Sequence, residues 1–424
     1  MRNSIWVSLG VFAGLLLVGP ESAVAQSVAI VGGDVHPVSG PPIPGGTVLI
    51  QDGLIRAVGA NVSVPSGARI IDATGKVVTP GFLESMTQLG VVELGGEAGP
   101  RDVTSEDDRI TASFNVLEGI NPFATAIPVT RVAGVTRVVV APAPGGSILA
   151  GEGVFMALEG SRVDEMVDVN PVAVFGVLGE GGSARAGGAR GAAVQRLREA
   201  LEDARHYSSS REAYEAGEGR EYTLSRSDLE ALVPVVEGTV PLVLTVHRAS
   251  DILGALRLQD AVGFRLVLAG VREGWMVAQE IAAAGVPVLV DGLTNLPAFE
   301  SLGNRYENAA LLSAAGVELV LSSFDTNNAR NLRQGAGNAV SYGLSWDDAL
   351  RAVTLTPAQV WGVHERVGSL EAGKEADVVI WSADPLELTS RAEMVFIRGV
   401  EVSSQTRQRE LFLRYRDLNR LPPG

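Results

Sequence analysis

Side chains that carry catalytic chemistry are scarce in this chain of 424 residues. There is no cysteine, which excludes disulfides, thiolate metal ligands and cysteine nucleophiles. Of the four histidines, His247 directly follows a predicted strand at 241–246, and Asp325 follows another predicted strand at 317–322. An imidazole and a carboxylate serve as general acid and base or as metal ligands. Together they supply at most two strong ligands, whereas a catalytic zinc takes three and a water.

Serine nucleophiles and phosphate-binding loops find no support in the sequence. Gly146-Ser147 and Gly182-Ser183 lie in glycine-rich stretches, but neither completes a G-x-S-x-G pattern. The same stretches lack the G-K-[ST] of a phosphate-binding loop. The segment 142–153 follows a predicted strand, and we expect a plain connection there rather than a pocket-lining loop.

Charge and composition narrow the class of partner. The net charge of −15 argues against nucleic acid and anionic membranes as partners. Hydrophobic residues make up 46% of the chain and charged residues 20%, so we expect a sizeable core.

The N-terminus has the pattern of a secretory signal peptide. Arg2 precedes an uncharged apolar run at 5–18, and Ala23-Val24-Ala25 gives an A-x-A cleavage pattern. The run is too short for a stable membrane span. We therefore predict a signal peptide at 1–25, cleavage after Ala25, no membrane anchor, and a periplasmic or secreted protein.

The elements that position His247 and Asp325 alternate between strand and helix. Segments with helical spacing separate predicted strands at 135–141, 171–178, 241–246, 265–269, 286–290 and 317–322. Repeated units of this kind predict a parallel sheet, and about eight of them fit a (β/α)8 barrel.

Short strand patterns at both chain ends predict a second unit. We expect one composite β-sandwich from 26–78 and 366–405, with the barrel at 79–365 between its two parts. The turn at 72–75 predicts a hairpin within the first part. The tail at 406–424 is predicted to be a charged amphipathic helix, which we expect to pack on its own chain rather than to bind a partner.

Two stretches resemble the amidohydrolase superfamily. Residues 77–90 read VVTPGFLESMTQLG and resemble its first barrel strand, V-x-P-G-[FL]-I-D-x-H-x-H, with Glu84 in place of the Asp. Residues 342–385 resemble its C-terminal signature, A-x-T-x-x-P-A followed by G-S-L-x-x-G-K-x-A-D-[LV]-V, in which Asp377 is expected to be a surface residue. The chain is identified as a member, most similar to the imidazolonepropionase-like branch. The resemblance implies an α/β fold, a (β/α)8 TIM-like barrel with a composite β-sandwich.

The resemblance also implies hydrolysis of carbon–nitrogen bonds by one or two divalent metals at the C-terminal ends of the barrel strands. The superfamily holds these metals with two histidines on strand one, a lysine carbamate or glutamate on strand four, one histidine each on strands five and six, and an aspartate on strand eight. That aspartate is also the general base.

Most of these positions carry other residues in this chain. Met86 and Gln88 match the strand-one histidines, and strict alternation puts both on one face with Glu84; Gly270 matches the strand-six histidine. A thioether and a carboxamide are poor ligands for zinc or manganese. The remaining candidate ligands are His247, Asp325 and Glu180.

The prediction is an amidohydrolase-family protein with an impaired or silent metal centre, a pseudoenzyme that binds a small ligand. Its expected partners are further copies of itself or an active amidohydrolase. The alternative is an active hydrolase with a one-metal or metal-free site, in which Asp325 is the general base and His247 a ligand or acid–base group. Arg248, Asn327 and Asn328 are then the predicted residues that bind an amide substrate, and zinc or manganese is the cofactor of a one-metal site.

Overall fold

A computed structural model describes residues 27–93, 99, 101–294 and 298–416. The predicted signal peptide lies outside these residues, as does the end of the predicted tail. Within the described ranges, no helix has both the length and the apolarity needed to cross a membrane.

The strands fall into two sheets, one at the chain ends and one in the middle. In chain order they are β1 (Val28–Val35), β2 (Ile43–Gln51), β3 (Leu54–Gly59), β4 (Arg69–Asp72), β5 (Val77–Pro80), β6 (Phe82–Thr87), β7 (Val135–Val140), β8 (Leu149–Ala157), β9 (Val167–Val177), β10 (Leu242–Val246), β11 (Leu266–Gly270), β12 (Val288–Val290), β13 (Leu319–Leu321), β14 (Val378–Trp381), β15 (Ala392–Ile397) and β16 (Val400–Glu401).

The helices lie mostly between the strands of the middle sheet. They are α1 (Ala126–Arg131), α2 (Val163–Met166), α3 (Gly179–Arg185), α4 (Arg190–Ser209), α5 (Arg211–Glu215), α6 (Arg226–Val236), α7 (Ala249–Val262), α8 (Ala278–Ala284), α9 (Asn308–Ala314), α10 (Leu332–Ser341), α11 (Trp346–Arg351), α12 (Leu355–Val360) and α13 (Arg407–Tyr415). Short 3-10 helices lie at Val116–Gly119, Gly274–Val277, Phe299–Ser301 and Ala329–Asn331.

The first sheet joins both ends of the chain, as predicted. Its strands run in the order β16-β15-β14-β5-β1-β2-β3, with β4 also paired to β1, and they carry an apolar cluster of their own. The predicted hairpin around 72–75 is wrong. Strands β4 and β5 both pair with β1 in parallel, one after the other along its length.

The second sheet is a nearly closed barrel of eight strands, β6 to β13 in order. The predicted TIM-like barrel is confirmed, with one difference in detail. Strand β8 is antiparallel to both of its neighbours, so only the other seven strands run parallel. Strand β8 begins inside 142–153, which was expected to be a plain connection. Its first residues, LAGEG, contain two glycines and do not look like a strand, although the apolar run VFMA follows them.

Residues 352–353 bridge the gap between the last and first barrel strands. The Leu321 amide donates to the carbonyl of Ala352 at 2.9 Å, and the Leu83 amide donates to that of Val353 at 2.8 Å. Apolar side chains at alternate strand positions, together with Trp361, form a separate cluster inside the barrel. The indole of Trp361 donates to the Ser85 hydroxyl at 3.1 Å. The interior is therefore a packed core rather than a channel.

The barrel and the first sheet are joined by buried charges. Arg137 on β7 is 1% exposed and donates to both carboxylate oxygens of Asp377, at 2.6 and 3.2 Å. It also pairs with Asp168 and Glu375. Asp377 is 4% exposed and accepts from the Arg398 amide as well, so the expectation of a surface residue is wrong. Its carboxylate is buried because a guanidinium on a distant strand compensates the charge.

The tail helix stands apart from the described part of the chain. All residues of α13 are exposed, so the expectation that it packs on its own chain is wrong for the described residues. The Thr406 side chain caps its first turn by accepting from the Arg409 amide at 3.2 Å.

Candidate functional site

The C-terminal ends of the barrel strands form the mouth, where α/β barrels carry their active sites. Strand β6 reaches this mouth through a bulge. Between Glu84 and Thr87 it has one residue more than its partner β7. Met86 consequently packs against the apolar cluster inside the barrel, as Leu83 does, and the predicted strict alternation breaks at this point.

Glu84 is fully buried and bound to the end of strand β13. Its carboxylate accepts from the Ser322 hydroxyl, from the Ser323 amide at 2.9 Å and from the Met86 amide at 3.2 Å. Burial raises the pKa of Glu84 to about 7, although the donated hydrogen bonds oppose this rise. A carboxyl group that titrates near neutrality therefore links the first and last barrel strands.

Ser322 and Ser323 both donate to Glu84, but no sequence motif indicates them. The only signal is their place directly after a short apolar strand, which many loop serines share. Nothing in the sequence pairs them with Glu84, which lies 238 positions before Ser322 and 239 before Ser323.

His247 lies directly over Gly270. A β-carbon added to Gly270 would sit 2.6 Å from Nδ1 of His247, closer than real contacts allow. Gly270 has a φ of +85°, which a side chain would also disfavour. The imidazole thus fills the space into which a residue on the next strand would project, and a side chain at position 270 would require the ring of His247 to move.

The ring of His247 is electrically neutral at physiological pH. Burial, and to a lesser degree the charge of Arg272, lowers its pKa to about 4. Its Nδ1 is buried and has no hydrogen-bond partner among the described residues. The turn after it is held by the amide of Glu273, which donates to the His247 carbonyl at 2.9 Å.

Asp325 closes the turn that follows β13. Its Oδ1 accepts from the Asn328 amide at 3.0 Å and its Oδ2 accepts from the Asn328 side chain at 3.2 Å. The Thr87 hydroxyl donates to the Asp325 carbonyl at 2.7 Å, which ties this turn to β6. Both carboxylate oxygens of Asp325 are thus engaged in local structure.

The other predicted site residues follow the C-terminal ends of their strands, around the mouth of the barrel. Arg248 donates to the Phe299 carbonyl at 3.2 Å and stacks on the Phe299 ring at 5.7 Å. Glu180 faces Arg190, with 3.6 Å between Oε1 and Nη2. Asn327 is exposed, and Gln88 is half-buried at the end of β6. The structure therefore brings Glu84 and the β13 end together, and His247 and Gly270 together.

The described residues do not fit a divalent metal. Among them, no three His, Asp or Glu side chains are grouped closely enough to hold one. Where the superfamily has histidines, the chain offers a thioether at Met86, a carboxamide at Gln88 and no side chain at Gly270.

Comparison with known proteins agrees with the fold. The sequence profile of the Amidohydrolase family matches residues 276–402. Amidohydrolase tasK of Hapsidospora irregularis is 24% identical over 387 residues, which cover 84% of this chain but 39% of that protein. Imidazolonepropionase of Mesorhizobium japonicum is 43% identical over 54 residues, or 12% of this chain and 13% of that protein. The chain thus spans well under half of these relatives.

A solved structure matches over nearly the whole fold. An amidohydrolase from Thermotoga maritima MSB8 superposes with a TM-score of 0.81 and 29% identity, over 89% of this chain and 100% of that chain. An α/β barrel with an attached sheet built from both chain ends, the family profile and this match define the class. Residues 276–402 carry an Amidohydrolase family domain, and the fold is that of the amidohydrolase superfamily, whose members commonly bind a divalent metal.

Proposed function

We propose that this chain is a non-hydrolytic member of the superfamily, a barrel that has kept the fold without the metal centre. It acts outside the cytoplasm as a unit that binds a small ligand or pairs with an active amidohydrolase. The observation that carries this proposal is the position of His247 over Gly270, because the strand-six position has no side chain and the imidazole takes the place of one.

The bonding of the other mouth carboxylates supports the same conclusion. Glu84 accepts three hydrogen bonds from its surroundings, and Asp325 accepts two from Asn328. Freeing Glu84 for a metal would leave its buried donors without partners, which costs about 1–3 kcal/mol for each group. Asn328 is exposed, so freeing Asp325 would cost less. These residues therefore act as structural links.

The match to tasK supports a partner role. That amidohydrolase is more than twice as long as the region this chain matches, because the match covers only 39% of it. The part of that protein outside the match is long enough for a second barrel. By analogy we propose that this chain pairs with an active amidohydrolase.

The proposal is tested by restoring the two strand-one ligands in purified mature protein. Zinc and manganese are measured after dialysis, together with hydrolysis of a panel of dipeptides and N-acyl amino acids. We expect the wild type to retain well under one metal per chain and to show no turnover. Met86→His with Gln88→His should raise metal uptake only partly, because Gly270 is unchanged.

The control is Met276→His, which adds an imidazole at an exposed methionine, 47% accessible. It should leave metal content at the wild-type level. Turnover by the wild type that a chelator abolishes would contradict the proposal.

The alternative, a rebuilt hydrolase, draws on one observation. His247 is neutral at pH 7, and its Nδ1 has no partner among the described residues, so a ring nitrogen is available to a substrate. Its pKa of about 4 makes it a weak base. If this alternative holds, the wild type hydrolyses some amide, and Asp325→Asn or His247→Asn abolishes that turnover. Turnover that survives both changes would eliminate it.

A further inference from the structure

Helix α13 carries an apolar stripe that no described residue covers. Its side chains Leu411, Phe412 and Tyr415 are 40%, 65% and 50% exposed. They stand at i, i+1 and i+4, so they share one side of the helix. An apolar stripe on a helix ordinarily packs against something, and exposed clusters of this kind mark interaction sites.

The same helix is basic, in a chain that is acidic overall. Residues 407–416 contain four arginines and one glutamate, whereas the whole chain has a net charge of −15. Arg409 and Arg416 lie one turn before and after Phe412 and flank it. Such a helix is attracted to a surface with an apolar floor and an acidic rim. The negative charge of the chain favours a protein surface over an anionic membrane.

One cavity of the barrel has this complementary character. It measures about 470 Å³ and lies between the segment 105–111, the β7–β8 connection and helix α4. Its floor contains the buried side chains Ile148, Leu149 and Leu197. Its rim carries the exposed carboxylates Glu106, Asp108 and Glu199 and one exposed cation, Arg196, so the rim is acidic on balance.

The walls of this cavity are fixed in place. Asp228 is fully buried and accepts hydrogen bonds of 2.7–2.9 Å from the amides and hydroxyls of Thr111 and Ser113. Arg185 donates to the carbonyls of Gly145 and Pro144 at 2.6 and 2.9 Å. A preformed cavity binds a partner with little cost of ordering its own loops.

We propose that α13 of one copy docks into this acidic-rimmed cavity of a second copy. Phe412 meets the apolar floor, and Arg409 and Arg416 pair with the rim carboxylates. A mutual exchange of helices closes a two-fold dimer in which each chain supplies one helix and one cavity. This self-association does not depend on whether the barrel hydrolyses amides.

The test is the oligomeric state of the mature chain, measured by light scattering on a sizing column over a range of protein concentrations and salt. We expect a dimer that weakens as salt rises, because charge attraction is screened. Phe412→Ser should raise the dimer dissociation constant about tenfold or more. Phe123→Ser, an equally exposed phenylalanine at 75% that does not line the cavity, should leave it unchanged.

Charge reversal tests the pairing itself. Arg409→Glu with Arg416→Glu should weaken the dimer, and so should Asp108→Arg with Glu199→Arg. An equimolar mixture of these two variants should recover dimers, because each reversed helix then meets a reversed cavity. Circular dichroism melting confirms that each variant folds. A monomeric wild type, a dimer indifferent to both reversals, or a mixture that stays monomeric would overturn the proposal.

Discussion

Replacing Glu84 by glutamine should change how the stability of this protein depends on pH. Glu84 is fully buried, and its pKa is raised from 4.5 to about 7 by that burial. In the unfolded chain the same carboxyl ionises at its ordinary value. Between pH 4.5 and about 7, the folded protein therefore keeps a proton on Glu84 that the unfolded chain has released.

The direction and size of the effect follow from that difference. Below pH 4.5 the Glu84 carboxyl is protonated in both the folded and the unfolded state, so its burial carries no charge penalty. As pH rises from 4.5 to about 7, the unfolded state is favoured progressively, by about 3 kcal/mol in total. Above about pH 7 both states are ionised, and the loss stays constant. Glutamine does not titrate, so any packing cost it brings is the same at every pH.

Urea unfolding at a series of pH values from 4 to 8.5 measures this directly. The quantity to follow is the free energy of unfolding of the wild type minus that of Glu84→Gln, which removes the contribution of all other groups. It should fall by about 3 kcal/mol across the range. The exposed Glu218→Gln is the matched control and should give a flat difference. A flat or rising difference for Glu84→Gln would refute the reasoning from burial.

Two further changes test the packing at the mouth and at the junction of the sheets. Gly270→Ala should lower the free energy of unfolding by about 1–3 kcal/mol more than Gly263→Ala. Both glycines have a positive φ, but only at position 270 would the new methyl group meet His247. Equal losses would contradict the close approach of His247 to Gly270. Arg137→Ala should lower the free energy of unfolding in urea by about 3–5 kcal/mol, because it leaves buried carboxylates without a compensating charge. The exposed Arg162→Ala is the control and should cost almost nothing. A loss of under about 1 kcal/mol for Arg137→Ala would contradict its compensating role.

Local pattern was sufficient to predict much of this fold. Strands with continuous apolar runs, such as β10 and β11, lie where periodicity predicts them, and the two signature stretches indicate how the chain ends combine. Strand β8 was missed because its glycine-rich start looks like a loop. The hairpin at 72–75 was wrong because a short turn does not determine whether its flanking strands pair with each other or with a third strand.

The candidate site was less predictable because its decisive contacts join distant positions. Met86, Gln88 and Gly270 were found by type and register alone. That His247 fills the space above Gly270, and that Glu84 binds Ser322, depends on the spacing of neighbouring strands, which no local pattern encodes. Asp377 was misplaced for the same reason, since its partner Arg137 lies 240 positions away.

The proposed function requires that the barrel mouth binds no metal. The most direct measurement is the zinc and manganese content of purified mature protein after incubation with each metal at pH 7 and exhaustive dialysis. We expect well under one tightly bound ion per chain, unchanged by His247→Asn. One or two ions per chain, lost on His247→Asn or Asp325→Asn, would contradict it.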